Sequence, residues 1–179
     1  MSVWFSSDLH ADHDNIIEIC NRPFKNVNEM VRTYIENHNS VVKPKDEFFF
    51  VGDLMIGKNF SLGQKILKNL NGRKHIILGN HDDFRAHTYV SMGFDSAHTS
   101  YRFLENVYLN HDPATATIDK EAIWICGHIH DLFKTCGNVY NVGVDVNNFT
   151  PVPFDEILRY SQKRKNKTTE IENSWVKDI

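Results

Sequence analysis

Five short stretches of this 179-residue chain carry side chains suited to holding cations or moving protons: Asp8-Leu9-His10, Gly52-Asp53, Gly79-Asn80-His81-Asp82, a lone His111, and Gly127-His128-Ile129-His130. Asp8 and His10 are two residues apart, as are His128 and His130. On a straight strand such residues share one face, roughly 7 Å apart along the axis, so each pair can grip one ion. Asp53 is a carboxylate with two oxygens able to bridge two cations, and Asn80 offers a neutral amide oxygen. Asp8, Asp53, Asn80, His10, His111, His128 and His130 together make a mixed oxygen–nitrogen donor set. Such a set suits Mn²⁺, Fe, Zn²⁺ or Ni²⁺ better than Ca²⁺, which prefers oxygen alone. These are more ligands than one ion needs. Two divalent ions are therefore expected, with Mn²⁺ as the first choice.

The elements that must position these residues follow from the hydrophobic pattern. Ser2–Ser7 reads as a short apolar strand, and Glu47–Val51 and Lys74–Leu78 as strands buried on both faces. Ser100–Leu104 and Val107–Asn110 form a hairpin around Glu105-Asn106. Ile123–Cys126 is a strand, and Val139–Val146 contains another. The chemistry-bearing stretches follow these runs directly, at the C-terminal end where open α/β sheets bind ligands. Gly52, Gly79 and Gly127 each precede a ligand, and glycine there is expected to supply a sharp turn and a close approach.

Helical segments fill the intervals. Asn15–Cys20 is a short one. Asn28–Val42 places Val31, Tyr34, Ile35, Val41 and Val42 on one face, with Asn28 as N-cap. Leu62, Ile66, Leu67 and Leu70 line the next helix, ended by Asn71-Gly72. Asp83–Met92 is helical and stopped by Gly93, and Pro153 opens a last helix over Phe154–Tyr160. From about residue 161 the chain is polar and Lys-rich, a frayed tail or a solvated helix end. Strands and helices alternate early and strands cluster late. That order predicts an α/β layered sandwich of two mixed β-sheets flanked by helices, in one domain spanning residues 1–179.

Composition narrows the field. With 41% hydrophobic and 24% charged residues the chain reads as globular. A net charge of −3 argues against a general nucleic-acid or membrane-surface binder, whose mark is a basic excess. No apolar run is long enough to span a bilayer, and Asp8 interrupts any signal-peptide pattern at Met1–Leu9. Cys20, Cys126 and Cys136 are spaced too irregularly for a disulfide framework or a zinc knuckle. A cytoplasmic protein with reduced thiols is the expectation.

In this order the five stretches resemble the calcineurin-like metallophosphoesterase superfamily, whose pattern is Asp-x-His, Gly-Asp, Gly-Asn-His-Asp/Glu, a lone His and Gly-His-x-His. The likeness runs from Ser6 to His130. The stretches Cys20–Phe24 (CNRPF) and Asn141–Val152 (NVGVDVNNFTPV) are similar to those of a small single-domain bacterial and phage group within it. The resemblance implies that Asp8, His10 and His130 bind one metal, that Asn80, His111 and His128 bind the other, and that Asp53 bridges them. It further implies that His81 binds no metal. His81 would sit over the phosphate to steady the transition state or protonate the leaving oxygen, with Asp82 orienting it. His10-Ala11-Asp12-His13 departs from the pattern, because relatives often place an aromatic–Gly pair between the two histidines; His13 is a candidate substrate-facing group. Asp112 stands where an aromatic is common, yet His111 still ends an apolar strand before Pro113.

Arg22 is a solvated arginine by default and a candidate phosphate contact by chemistry, because a guanidinium matches phosphate geometry. Asp145 and Asn147 either line the site or cap a turn. His38, His75, His87 and His98 read as structural.

The implied reaction is hydrolysis of a phosphate ester. Two cations roughly 3.5–4 Å apart share a water, lower its pKa toward neutrality and offset the charge that develops. A short chain without an evident cap suits small phosphodiesters or nucleotides; phosphomonoesters and dinucleoside polyphosphates are the alternatives. An all-helical phosphohydrolase built on a His-Asp pair would leave Asp8-Leu9-His10 and Gly127-His128 unexplained. A protein-binding scaffold of the same fold would be free to lose ligands or His81, and this chain retains them.

Overall fold

Residues Glu47–Val51 form a strand with Phe48 and Phe50 on one face and Phe49 and Val51 on the other, all of them buried. Such a strand needs a packed layer on each side, and the computed structural model supplies both. It describes residues 1–117, 119 and 121–176, with the backbone alone for 167–176.

In chain order the elements are β1 (Val3–Ser6), α1 (Ile16–Ile19), α2 (Val27–Val41), β2 (Glu47–Val51), α3 (Phe60–Asn69), β3 (Arg73–Ile77), α4 (Ala86–Met92), β4 (Ser96–His98), β5 (Tyr101–Leu104), β6 (Val107–Leu109), β7 (Ile123–Cys126), β8 (Thr135–Cys136), β9 (Val139–Asn141), β10 (Val152–Pro153) and α5 (Phe154–Val176). The first sheet has the order β10-β1-β2-β3-β4, with β1 to β4 parallel and β10 antiparallel at the edge. The second has the order β5-β6-β7-β9-β8, with β6, β7 and β9 parallel and antiparallel strands at both edges. The architecture is thus α/β, two mixed sheets flanked by helices.

Two cores result. Phe48 and Phe50 pack with Met30 and Tyr34 of α2, Ile66 and Leu67 of α3, and Tyr89 and Met92 of α4. Phe5, Phe49, Val51 and Ile77 pack between the sheets against Leu109, Ile125 and Tyr140, with Ile157 of α5. A parallel bridge between Ser7 and Gly143 ties the end of β1 to the segment after β9.

Several boundaries differ from the sequence expectation. Helix α2 is capped by Asn26, not Asn28: Asn26 is extended and its side-chain oxygen accepts the Glu29 N–H at 3.0 Å, whereas Asn28 already lies in the first turn. Helix α4 begins at Ala86 rather than Asp83, because the backbone at Arg85 is extended, with ψ 151°. The run Val139–Val146 splits into β9 and a 3₁₀ turn at Val144–Val146. Pro153 belongs to edge strand β10, where a missing N–H is tolerated. Helix α5 continues past Tyr160 to Val176, so the Lys-rich stretch is helical over its described length. No helix of the described residues is long and apolar enough to cross a membrane.

Candidate metal centre

The C-terminal ends of β1, β2, β3, β6 and β7 converge, and each releases its chemistry-bearing residues there. The backbone does this through left-handed turns on the candidate ligands themselves: Asp8 (φ 60°), His10 (53°), Asp53 (60°), His128 (74°) and His130 (46°). Each such residue stores ~1–3 kcal/mol of strain, which surrounding structure must hold in place. Of the three glycines placed before these residues, only Gly52 has a positive φ, 88°. Gly79 and Gly127 instead provide room. A Cβ on Gly79 would overlap the Asp53 carboxylate, and one on Gly127 would overlap the Ser7 hydroxyl and Asp8 carboxylate. The first two ligand loops are laced together, Asp8 N–H to the Gly52 carbonyl at 3.0 Å and His10 N–H to the Asp53 carbonyl at 3.1 Å.

Asp8, His10, Asp53 and His111 are buried and form the floor. Asn80, His81 and His128 are exposed at the mouth, and His130 is half-buried. Donor atoms of Asp8, His10 and His130 lie within 4.8 Å of one another, as do those of Asp8, Asp53 and His111. Asp53 Oδ2 is 3.2 Å from His111 Nε2 and 3.6 Å from His10 Nε2. Asn80 Oδ1 is 3.0 Å from His111 Nε2 and 2.9 Å from His128 Nδ1. Donors about 2.1 Å from a common ion stand roughly 3.0–3.4 Å apart along the edges of an octahedron or tetrahedron. The observed spacings are close to these.

The imidazoles give the sharper test of fit. His111 Nδ1 is 2.8 Å from the Val51 carbonyl, which can only accept, so Nδ1 carries the proton. Nε2 then faces Asp53 Oδ2, Asn80 Oδ1 and, at 4.0 Å, Asp8 Oδ1. A neutral ring would aim its lone pair at three oxygens; a proton or a cation resolves this. Burial pulls the pKa of His111 down, but its hydrogen bond to Asp53 and the charges of Asp8 and Asp53 outweigh burial and push it up to about 9. His10 is the opposite case. Both its ring nitrogens are buried without a hydrogen-bond partner, and burial pushes it down to about 3. An orphaned buried polar atom costs ~1–3 kcal/mol, a cost that coordination removes. The donor set therefore fits divalent cations.

The remaining donors are held by specific contacts. The Asp8 carboxylate accepts the Ser7 hydroxyl at 2.5 Å and the His128 N–H at 2.9 Å, and burial raises its pKa. Burial also acts to raise Asp53, but the His111 contacts and the His81 N–H hold its carboxyl below the usual range. His130 Nδ1 donates to Asp145 Oδ2 at 2.9 Å, leaving Nε2 free to face the site. Of the two readings its sequence position allows, Asp145 takes the first: it contacts the site through His130 rather than only capping a turn.

Three expectations change or sharpen. Arg22 is not a substrate-facing group: its five N–H groups are taken by Asp145, the carbonyls of Asp8 and Leu9, and Met30 Sδ, and its side chain is 1% exposed. Asp82 does not hold the His81 ring. Its carboxylate accepts the N–H groups of Asp53 and Gly79 at 2.8 Å, Leu54 at 3.2 Å and the Tyr89 hydroxyl at 3.1 Å. Burial pushes the Asp82 pKa up to about 6. His81 is placed through its backbone N–H, which donates to Asp53 Oδ1 at 2.9 Å, and its ring stands edge-on to His10 at 5.4 Å. His13 lies at the rim, half-buried, with its ring 6.0 Å from that of His10. Away from the site, His38 bonds the Asn71 carbonyl, and His75 lies between Ser96 and Glu47.

The protein family described as calcineurin-like phosphoesterase matches residues 1–178 of the chain. An uncharacterised protein of Methanocaldococcus jannaschii, MJ1445, is 36% identical over 172 residues, covering 91% of this chain and 93% of its own length. The gene 66 protein of Mycobacterium phage L5 is 36% identical over 85 residues, 45% of this chain and 40% of that protein. Among solved structures, the protein of unknown function AQ665 from Aquifex aeolicus superposes with a TM-score of 0.72 at 25% identity, covering 89% of this chain and 98% of that one.

Proposed function

The chain belongs to the calcineurin-like phosphoesterase family, and from that premise we propose that it is a binuclear metal-dependent phosphoesterase acting on small phosphodiesters or nucleotides. The observation that carries the reading is Asp53 Oδ2, a single carboxylate oxygen within 3.6 Å of imidazole nitrogens from both donor clusters. In this reading Asp8, His10 and His130 hold one ion, Asn80, His111 and His128 hold the other, and Asp53 serves both. Manganese is the metal proposed, and the mixed oxygen–nitrogen set equally accepts Fe, Zn²⁺ or Ni²⁺. Two divalent ions held there would supply a water of lowered pKa and charge to offset that on the phosphate oxygens.

The chain's own residues supply the rest. Three of the donors are held in line by an outer contact, Ser7 on Asp8, Val51 on His111 and Asp145 on His130. His81 stands at the mouth with its backbone pinned to Asp53 and its ring beside His10. A ring N–H of His81 hydrogen-bonds a phosphoryl oxygen or passes its proton to the departing ester oxygen. Asn80, His81 and His128 are exposed, so the mouth opens to solvent and admits a small ester with either one or two organic groups.

Metal-depleted protein reloaded with Mn²⁺, Zn²⁺ or Ni²⁺ should be assayed on bis(p-nitrophenyl) phosphate, p-nitrophenyl phosphate and a set of nucleotides. A higher kcat/KM for the diester is expected. The reverse order would make the protein a phosphomonoesterase. Ion binding without turnover on any ester would favour a protein-binding scaffold of the same fold.

A further inference from the structure

We infer that Arg22 and Asp145 are a pair of positioning residues for one metal position alone, the one built on Asp8, His10 and His130; the inference rests on the two-metal reading above. Arg22 Nε and Nη2 grip Asp145 Oδ1 and Oδ2 at 2.7 and 2.9 Å. The same guanidinium donates to the Asp8 carbonyl from Nη2 and to the Leu9 carbonyl from Nη1, both at 2.8 Å. Its last N–H reaches Met30 Sδ at 3.1 Å. Both side chains of the pair are buried, 1% and 3% exposed, and the guanidinium lies over the Phe149 ring at 5.4 Å. One planar group thus clamps the backbone at Asp8, where φ is 60°, and through Asp145 it fixes the His130 ring.

The pair's direct contacts with the site all fall on one side of it, at Asp8, Leu9 and His130. Asp145 Oδ2 accepts a hydrogen bond from His130 Nδ1–H, which sets the tautomer and turns the Nε2 lone pair inward. A carboxylate on the far nitrogen also makes an imidazole a stronger donor than a carbonyl does. His111 on the other side rests on the neutral Val51 carbonyl. Asp53 is braced by His81 and Asp82, and neither Asn80 nor His128 touches the pair. Lysine cannot replace Arg22, because a point charge cannot make a fork on Asp145 while reaching two carbonyls.

The test is a pair of Mn²⁺ binding isotherms, read from the electron paramagnetic resonance of free Mn²⁺, on metal-depleted wild type and variants. Asp145→Asn leaves a buried arginine unpaired and can unfold the chain. The double variant Arg22→Gln/Asp145→Asn removes both charges together, and metal-free melting curves report which variants fold. In every folded variant one class of Mn²⁺ is expected to weaken about 10–100-fold while the other is unchanged. The half-activating Mn²⁺ concentration should rise by the same factor. Arg22→Lys should show the same selective loss, whereas Asn80→Ala should weaken the other class. Equal weakening of both classes, or of neither, overturns the inference. Should wild type bind a single ion, the two-metal reading fails by itself. The pair's role is then upheld if that ion weakens in the double variant and overturned if it does not.

Discussion

His111 Nδ1 lies 2.8 Å from the Val51 carbonyl oxygen, and that contact decides what the opposite edge of the ring must do. With its proton held there, Nε2 meets Asp53 and Asn80 oxygens at 3.2 and 3.0 Å. In the metal-free protein the ring is an imidazolium whose pKa the Asp53 hydrogen bond and the Asp8 and Asp53 charges lift to about 9, against the pull of burial.

Metal must therefore displace a proton. The folded-state pKa is above the ordinary value of 6.5, so in metal-free protein this group's stabilisation is full below pH 6.5 and is lost as pH rises through about 9. Metal competes with the same proton, so Mn²⁺ affinity should rise with pH up to about 9 and then level. Calorimetry at pH 7 in buffers of different ionisation enthalpy should show at least one proton released on binding. An affinity that is flat across this range would contradict the assignment.

Asp53→Asn should remove most of the metal-dependent rise in Tm, because a neutral amide offers one oxygen and an NH₂ that faces a cation badly. Metal that binds only the folded state stabilises it by mass action, so lost affinity appears as a lost shift. The fold should survive, since asparagine tolerates the left-handed backbone found here, φ 60°. Metal-free stability should fall on the order of 1–3 kcal/mol at pH 7, because Asp53 pairs with His111 and accepts the His81 N–H. Near-wild-type binding of both ions would show that Asp53 is not shared.

His81→Ala should keep both ions and lose rate, on the order of 10²–10⁴-fold for a removed acid–base group. The backbone N–H that reaches Asp53 remains in the variant, so the donor cluster is undisturbed. Elemental analysis beside steady-state kinetics checks this, and metal lost in step with activity would make His81 a ligand instead.

Gly79→Ala should damage the centre from outside it. The added Cβ would meet the Asp53 carboxylate and, at 2.7 Å, the Asp53 backbone nitrogen, which cannot swing aside. A loss of ~1–3 kcal/mol is expected from overpacking, together with weaker metal binding. Gly137→Ala is the control: nothing stands within 4 Å, so only its backbone at φ 56° resists, at about 1 kcal/mol and with no effect on metal. Thermal melts with and without Mn²⁺ separate the two effects.

Whatever rests on neighbouring residues is legible before the chain folds. The run of Phe48 to Val51 demanded layers on both faces, and the apolar strands ending in Asp8-Leu9-His10, Asp53, Asn80-His81, His111 and His128-Ile129-His130 marked one sheet edge as the place for chemistry. Residue type and spacing are local properties, so they are legible without a fold. Contacts between distant segments leave no such periodicity. Arg22 and Asp145 are 123 residues apart, and only the folded chain joins them, turning a candidate phosphate contact into a buried clamp. Asp82 could be read as a partner for the ring beside it, but the fold spends its carboxylate on the loops after β2 and β3. Glycine is the residue expected at left-handed turns because it adopts them at least cost. The tertiary structure places left-handed backbone on the candidate ligands as well, because hydrogen bonding between loops holds Asp8, His10 and Asp53 in conformations their own sequence would not choose.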